Sequence, residues 1–212
     1  MTAQPARQPN IPPWRLVALA LYPVLIYLSL HFQQPALRSA CLPLLALLLL
    51  GLFPSWPARA LVMTIALALA AVALFLPGLA LWPPGLIFVG LAVWFATTLR
   101  PGQTPVIERF AVLVHARNGT VAPSGATGWL WHWTLAWAVV LATIGAIALY
   151  LAWYDLSAAW LAWVVIAAPA IMLATLWSEL LLRRRRFPDE THPGLFRFLI
   201  DVVRIQPRHV AR

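Results

Sequence analysis

The sequence predicts an all-α protein: a polytopic membrane helical bundle of about six transmembrane helices with two short interfacial amphipathic helices. Three observations predict it. Hydrophobic residues make up 62% of the 212 residues and charged residues 10%, where an ordinary soluble domain carries about 25% charged. A soluble fold of this size exposes too much of its surface to hide so much apolar area. Mean hydropathy is +0.82, and the apolar residues fall in long runs separated by Pro, Gly, Trp and Arg.

Residues 1–13 hold Pro5, Pro9, Pro12 and Pro13 and read as a disordered arm. Trp14 and Arg15 open a first span, 14–32, in which Pro23 predicts a kink. No small-x-small cleavage site follows it, so it is expected to be retained as a span. A turn at 31–35 leads to a second span, 36–53, with Arg38 near its outer end and Cys41 expected to be a buried, inert thiol. Pro54-Ser55-Trp56-Pro57 breaks the chain before a third span, 60–82, and Pro83-Pro84-Gly85 precedes a short fourth one, 85–99. Pro77-Gly78 offers an alternative break, and a re-entrant segment at 77–99 would change the number of crossings.

The polar interval 99–128 carries a short interfacial helix. Thr104 can cap it with Pro105 at the first position, and Val106, Ile107, Phe110, Leu113 and Val114 recur at helical spacing. Asn118-Gly119 ends it. The indole-rich Trp129-Leu130-Trp131-His132-Trp133 begins the fifth span, 129–153, as an interfacial belt. The sixth span, 156–182, is long enough to tilt. Spans 14–182 are thus read as one transmembrane domain, followed by a basic tail, 183–212. In that tail Leu195, Phe198, Leu199 and Val202 face away from Arg197, Asp201 and Arg204 and predict the second amphipathic helix.

Charge sets the orientation. All 15 basic residues are arginine, against six acids, for a net +9. With six crossings, every arginine except Arg38 lies on the side of the two termini. The positive-inside rule then places both termini and the 99–128 loop in the cytoplasm. The arginines sit at span ends, so the expected partner is anionic membrane lipid. No reading motif accompanies the charge, and nucleic acid is not expected as a partner.

Chemistry is sparse in the spans, where buried polar groups are costly and mark function. Glu179 is the one carboxylate near a helix interior; it stands four residues before Arg183, and either an interfacial ion pair or a proton or substrate role is open to it. His115 reads as a solvated face of the interfacial helix. Asp189, Glu190 and His192 form the one place where acids and an imidazole meet, able to counterbalance the arginines or to take part in acid–base work. No zinc-ligand spacing, nucleophile elbow or phosphate loop occurs, so no metal and no cofactor is expected. The remaining candidates are Arg100, Arg109, Arg117, Arg183, Arg184, Arg185 and Arg186, whose guanidinium forks suit phosphate or carboxylate.

Two stretches carry a resemblance. Leu99-Arg100-Pro101-Gly102-x-x-Pro105-x-Ile107-x-Arg109-Phe110-Ala111, with His115 following, resembles a loop in an uncharacterised family of bacterial inner-membrane proteins. Arg183-Arg184-Arg185-Arg186-Phe187-Pro188-Asp189, with Phe198-Leu199 beyond, resembles that family's C-terminal end. The likeness runs from about residue 60 onward; before the fifth span, Gly128 to His132 stand where the family carries arginines. Family members accompany ketosynthases, acyl carrier proteins and acyltransferases in gene clusters for aryl-polyene pigments of the xanthomonadin type. The resemblance implies an inner-membrane accessory protein in assembly of an aryl-polyene or related fatty-acid-like lipid, with a cationic face for carrier proteins or headgroups. A small transporter or flippase for the product, or a membrane-embedded lipid-modifying enzyme, are the other readings.

Overall fold

The computed structural model describes residues 13–50, 55–118 and 126–188. Within these residues every regular element is helical. In chain order they are α1 (Pro13–His31), α2 (Pro35–Ser39), α3 (Cys41–Leu49), α4 (Trp56–Ala73), a 3-10 turn (Pro77–Leu81), α5 (Trp82–Thr97), α6 (Val106–Asn118), α7 (Ala126–Trp153), α8 (Ser157–Ala162), a π-helical turn (Trp163–Ala167) and α9 (Ala168–Arg186). Four helical segments are long and apolar enough to cross a membrane: Trp56–Ala73, Gly78–Thr97, Thr127–Trp153 and Ser157–Arg186. Leu21–His31 and Pro35–Leu49 are apolar but shorter.

Proline chemistry places the interruptions. Pro43 has no N–H to offer the Ser39 carbonyl and crowds it, so the second apolar run is divided at Ala40 into α2 and α3. The next break falls at 74–76, where Leu76 leaves the helical region (φ −125°, ψ 74°) ahead of Pro77. Helix α4 therefore stops at Ala73 and not at the expected 82. Pro83 and Pro84 interrupt nothing, because they lie in the first turn of α5, where no intrahelical N–H is needed. Pro169 follows the π turn, whose Val165 carbonyl lies four residues earlier; the widened turn gives room for the proline ring, and α8 to α9 continues as one 30-residue helix. Four arginines fill the last turn of α9, so the expected boundary between span and tail lies inside a helix. The second predicted amphipathic helix, 195–204, lies outside the described residues.

The described residues form two compact units, with α5, α7 and α9 or its upstream turns contributing to both. The first unit holds residues 13–88 and 144–169. Its core is Ile26, Cys41, Leu81, Ala152 and Trp160, all at most 2% exposed. The α1–α2 turn is closed by Gln34 N–H donating to the Ser29 carbonyl at 3.1 Å, with Gln33 in the left-handed region (φ 51°). Arg38 from α2 donates to Asp155 Oδ1 at 3.1 Å in the α7–α8 turn. A Cβ on Gly78, just past the α4 break, would lie 3.9 Å from the same Oδ1. Three helix-to-helix turns, at 32–34, 74–76 and 154–156, thus share one end of this unit. Asp155 is itself left-handed (φ 48°) and accepts from Ser157 Oγ at 2.7 Å. The Arg38 side chain, only 11% exposed, is held by this acid.

Deeper in the same unit α5 and α7 approach closely. A Cβ on Gly85 would stand 2.8 Å from Leu149 Cγ and 3.2 Å from the Gly145 carbonyl oxygen. Small residues permit such close approach between apolar helices, where packing replaces the hydrophobic effect as the driving force. Replacing Gly85 by Leu is expected to lower stability by about 1–3 kcal/mol through overpacking. Thermal unfolding of the detergent-purified protein measures it, and an unchanged midpoint would refute the close contact.

Candidate functional site

The second unit, residues 89–143 and 170–188, holds the candidate residues that can be described. Helices α7 and α9 meet there along two stripes with the same spacing. Trp129, Trp133 and Trp137 recur every four residues on α7, and Glu179 and Arg183 of α9, with Phe187 just past its end, do the same. Residues four apart share a helix face. Trp137 Nε1 donates to Glu179 Oε2 at 3.0 Å. At the other end the Trp129 and Phe187 rings meet edge-on at 6.4 Å. Those two contacts set an antiparallel register that brings Arg183 level with Trp133, between them.

Glu179 is 2% exposed, and Arg183 donates to its Oε1 at 2.9 Å. Each carboxylate oxygen therefore accepts from a named donor, one cationic and one neutral. Charge-assisted bonds of this kind are about twice as strong as neutral ones, and a buried carboxylate needs them, since an unpaired charge away from water costs several kcal/mol. The seam is not fully satisfied, however. Arg183 Nε and Trp129 Nε1 are buried without an acceptor, each at a cost of about 1–3 kcal/mol.

Helix α6 docks on the end of this seam. Ile107 and Ala111 pack with Leu130, Trp129 and Phe187. Its first two N–H groups, which no residue of the helix can satisfy, are taken up by other elements. Val106 N–H donates to Thr98 Oγ1 at 3.2 Å, and Ile107 N–H donates to Thr134 Oγ1 at 3.4 Å. Each hydroxyl donates in turn to its own helix: Thr98 to the Phe95 carbonyl and Thr134 to that of Leu130, both at 2.8 Å. The amides that Thr104 could cap are thus taken by Thr98 and Thr134, and the Thr104 carbonyl accepts from Arg109 Nε at 3.0 Å. Arg109 also reaches Gln103 Oε1 at 3.4 Å. Glu108, on the first turn, accepts from Thr127 Oγ1 at 3.1 Å.

The structure brings several of the sequence candidates to one end of this unit. Arg100 is exposed in the turn between α5 and α6, where Gly102 takes φ 81°. Arg184, Arg185 and Arg186 are exposed on the last turn of α9, and Arg186 lies 5.8 Å from the centre of the Phe187 ring. His115 and Arg117 belong to α6, but their side chains, like all of Asp189, Glu190 and His192, lie outside the described residues. Trp137, Thr98 and Thr134 were not anticipated; the repeated four-residue spacing of the α7 tryptophans was the available sign of a buried stripe. Among the described residues no group of three or more His, Cys, Asp or Glu is placed to hold a metal ion.

In comparisons with known proteins, no family model, no curated protein and no solved structure matches this chain.

The pair Glu179–Arg183 predicts an asymmetry. Arg183→Met leaves a carboxylate stranded in an apolar seam and is expected to cost about 3 kcal/mol or more. Glu179→Met leaves an arginine one turn from the helix end, where its long side chain can reach water, and should cost markedly less. The double variant should recover most of the loss. Thermal unfolding of the three proteins reads this order, and equal losses in the two single variants would contradict it. Separately, Thr134→Val should release the Ile107 amide, seen as faster hydrogen exchange at the start of α6, at a cost of about 1–3 kcal/mol.

Proposed function

We propose that the protein is an accessory, non-catalytic protein of the bacterial inner membrane that crosses it six times, with both termini in the cytoplasm. Its task in this reading is assembly of an aryl-polyene or related fatty-acid-like lipid, a context supplied by the family resemblance of the 99–111 and 183–189 stretches. Its arginine-bearing end presents cations to anionic partners, either acidic acyl carriers or lipid headgroups.

One observation carries the reading. The end of α5, the start of α6 and the end of α9 are tied together in the second unit through Thr98, Thr134 and Phe187. Arg100, Arg109 and Arg183 to Arg186 are thereby gathered at one end of that unit, and the two acids among its described residues are engaged, Glu179 by Arg183 and Glu108 by Thr127. Guanidinium groups grouped in this way favour phosphate and carboxylate. The full engagement of Glu179 favours a structural role for it over proton transfer or substrate chemistry. The reading of six crossings adds the shorter apolar α1 and α2–α3 to the four membrane-length helices, and the three turns near Asp155 in the first unit support it.

Two measurements test this. In a Cys41→Ala background, Asp155→Cys should react with a membrane-impermeant maleimide in intact spheroplasts, and Arg184→Cys only after permeabilisation. The reverse pattern would overturn the orientation. Charge reversal at Arg100, Arg109 and Arg117 should abolish co-purification with an acidic acyl carrier; unchanged co-purification removes carrier docking on that loop, and a deletion strain with normal pigment removes the pathway assignment.

A further inference from the structure

The four-arginine run is a uniform block in sequence but divides in three dimensions. At about 100° per residue, consecutive arginines point to different sides of α9. Arg183 faces α7 and is 14% exposed, its guanidinium on Glu179. Arg186 lies some 60° from it and rests near the Phe187 ring. Arg184 and Arg185 point roughly 100° and 200° away from the seam and are exposed.

The residues beneath them on that side are apolar and exposed. Leu173, Trp177 and Leu181 are 50%, 51% and 44% accessible and fall at about 80°, 120° and 160° on the same scale. They form one stripe with Arg184 and Arg185 at its end. Leu181 precedes Arg184 by about 4.5 Å along the axis, and Trp177 precedes it by about 10 Å. The stripe thus changes from hydrocarbon-seeking to cationic within one turn. A ligand for it needs acyl chain and anionic oxygen joined at that spacing. An acidic soluble protein would meet the arginines but leave the adjoining leucine and indole bare.

We infer that Arg184 and Arg185, with Leu181 and Trp177 below them, form a binding site for an anionic phospholipid, its phosphate on the two guanidinium forks and its glycerol and upper acyl chain along Leu181 and Trp177. Two exposed guanidinium groups at one headgroup select against a zwitterionic lipid, whose own ammonium they repel. Glu179 supports the site indirectly: by holding Arg183 in the seam it fixes which arginines face outward. The inference rests on the proposed reading of this end as the headgroup-level end of the protein and names the occupant which that reading leaves open.

Native mass spectrometry of the detergent-solubilised full chain, titrated with dioleoyl phosphatidylglycerol or with dioleoyl phosphatidylcholine, tests it. The wild type should retain phosphatidylglycerol preferentially. Arg184→Gln with Arg185→Gln should weaken that retention by about twenty-five-fold, at about fivefold per arginine, and leave phosphatidylcholine unchanged. Arg184→Lys with Arg185→Lys, which keeps the charge, should restore most of it, which separates loss of the site from misfolding. Arg183→Gln should lower thermal stability but not selectivity. Undiminished phosphatidylglycerol retention in the double Gln variant overturns the inference, as does displacement of the lipid by millimolar inorganic phosphate, which would mark an anion site without an acyl component. If the maleimide pattern stands and retention does not depend on these two arginines, the lipid site alone fails; if Arg184→Cys reacts from outside, the reading beneath it fails as well.

Discussion

A carboxylate within an apolar helix has to be neutralised by its own chain, and much of the second unit depends on how Glu179 meets that requirement. Arg183, one turn on, supplies the charge and Trp137 supplies a second donor. The tryptophan bond reaches across to α7 and so fixes which residues face each other along the seam. With Trp137 opposite Glu179, Trp129 falls opposite Phe187. Those two rings then make the apolar floor on which Ile107 and Ala111 of α6 rest. A polar contact thus sets the register, and packing follows from it. Apolar surfaces alone would specify that register weakly, because lipid tails compete with side chains on equal terms.

A similar economy operates at helix ends. Without water, the first N–H groups of a helix need acceptors from the protein. Helix α6 finds them in Thr98 and Thr134, each of which also returns a bond to its own helix. In the first unit Arg38 does comparable work between hairpins by pairing with Asp155, which in turn holds Ser157. In both cases one short side chain joins segments distant in sequence, and the join is made where the backbone is least satisfied.

How far the sequence discloses this depends on the range of the interaction. Apolar runs report membrane-length helices directly, because length and composition are local properties; α4, α5, α7 and α9 follow from them. The Glu179–Arg183 pair is legible too, since four residues on one helix imply adjacency. The position of the third break is less so: Pro77 and Pro83 carry the same chemistry, and only the place of each relative to a helix start decides which one interrupts. Pro83 and Pro84 fall in the first turn and cost nothing, whereas Pro77 follows a residue already out of helical geometry. Thr98, Thr134, Trp137 and Asp155 stay hidden as partners because each acts across a separation that no periodicity records.

Arginine placement brings these levels together. In the proposed topology Arg38 is the one arginine apart from the rest, and in the first unit its guanidinium is paired with Asp155 and largely buried, so it presents little charge. In the second unit Arg183 is likewise withdrawn, by Glu179. Pairing therefore decides which arginines are electrostatically visible. Counting residues treats Arg38, Arg183 and Arg184 alike, but only the last stands exposed at the end of an apolar stripe. The charge relevant to topology and to any anionic ligand is that which remains after internal pairs are formed, and among the described residues of the second unit Arg184, Arg185 and Arg186 on the last turn of α9 and Arg100 in the α5–α6 turn stand exposed.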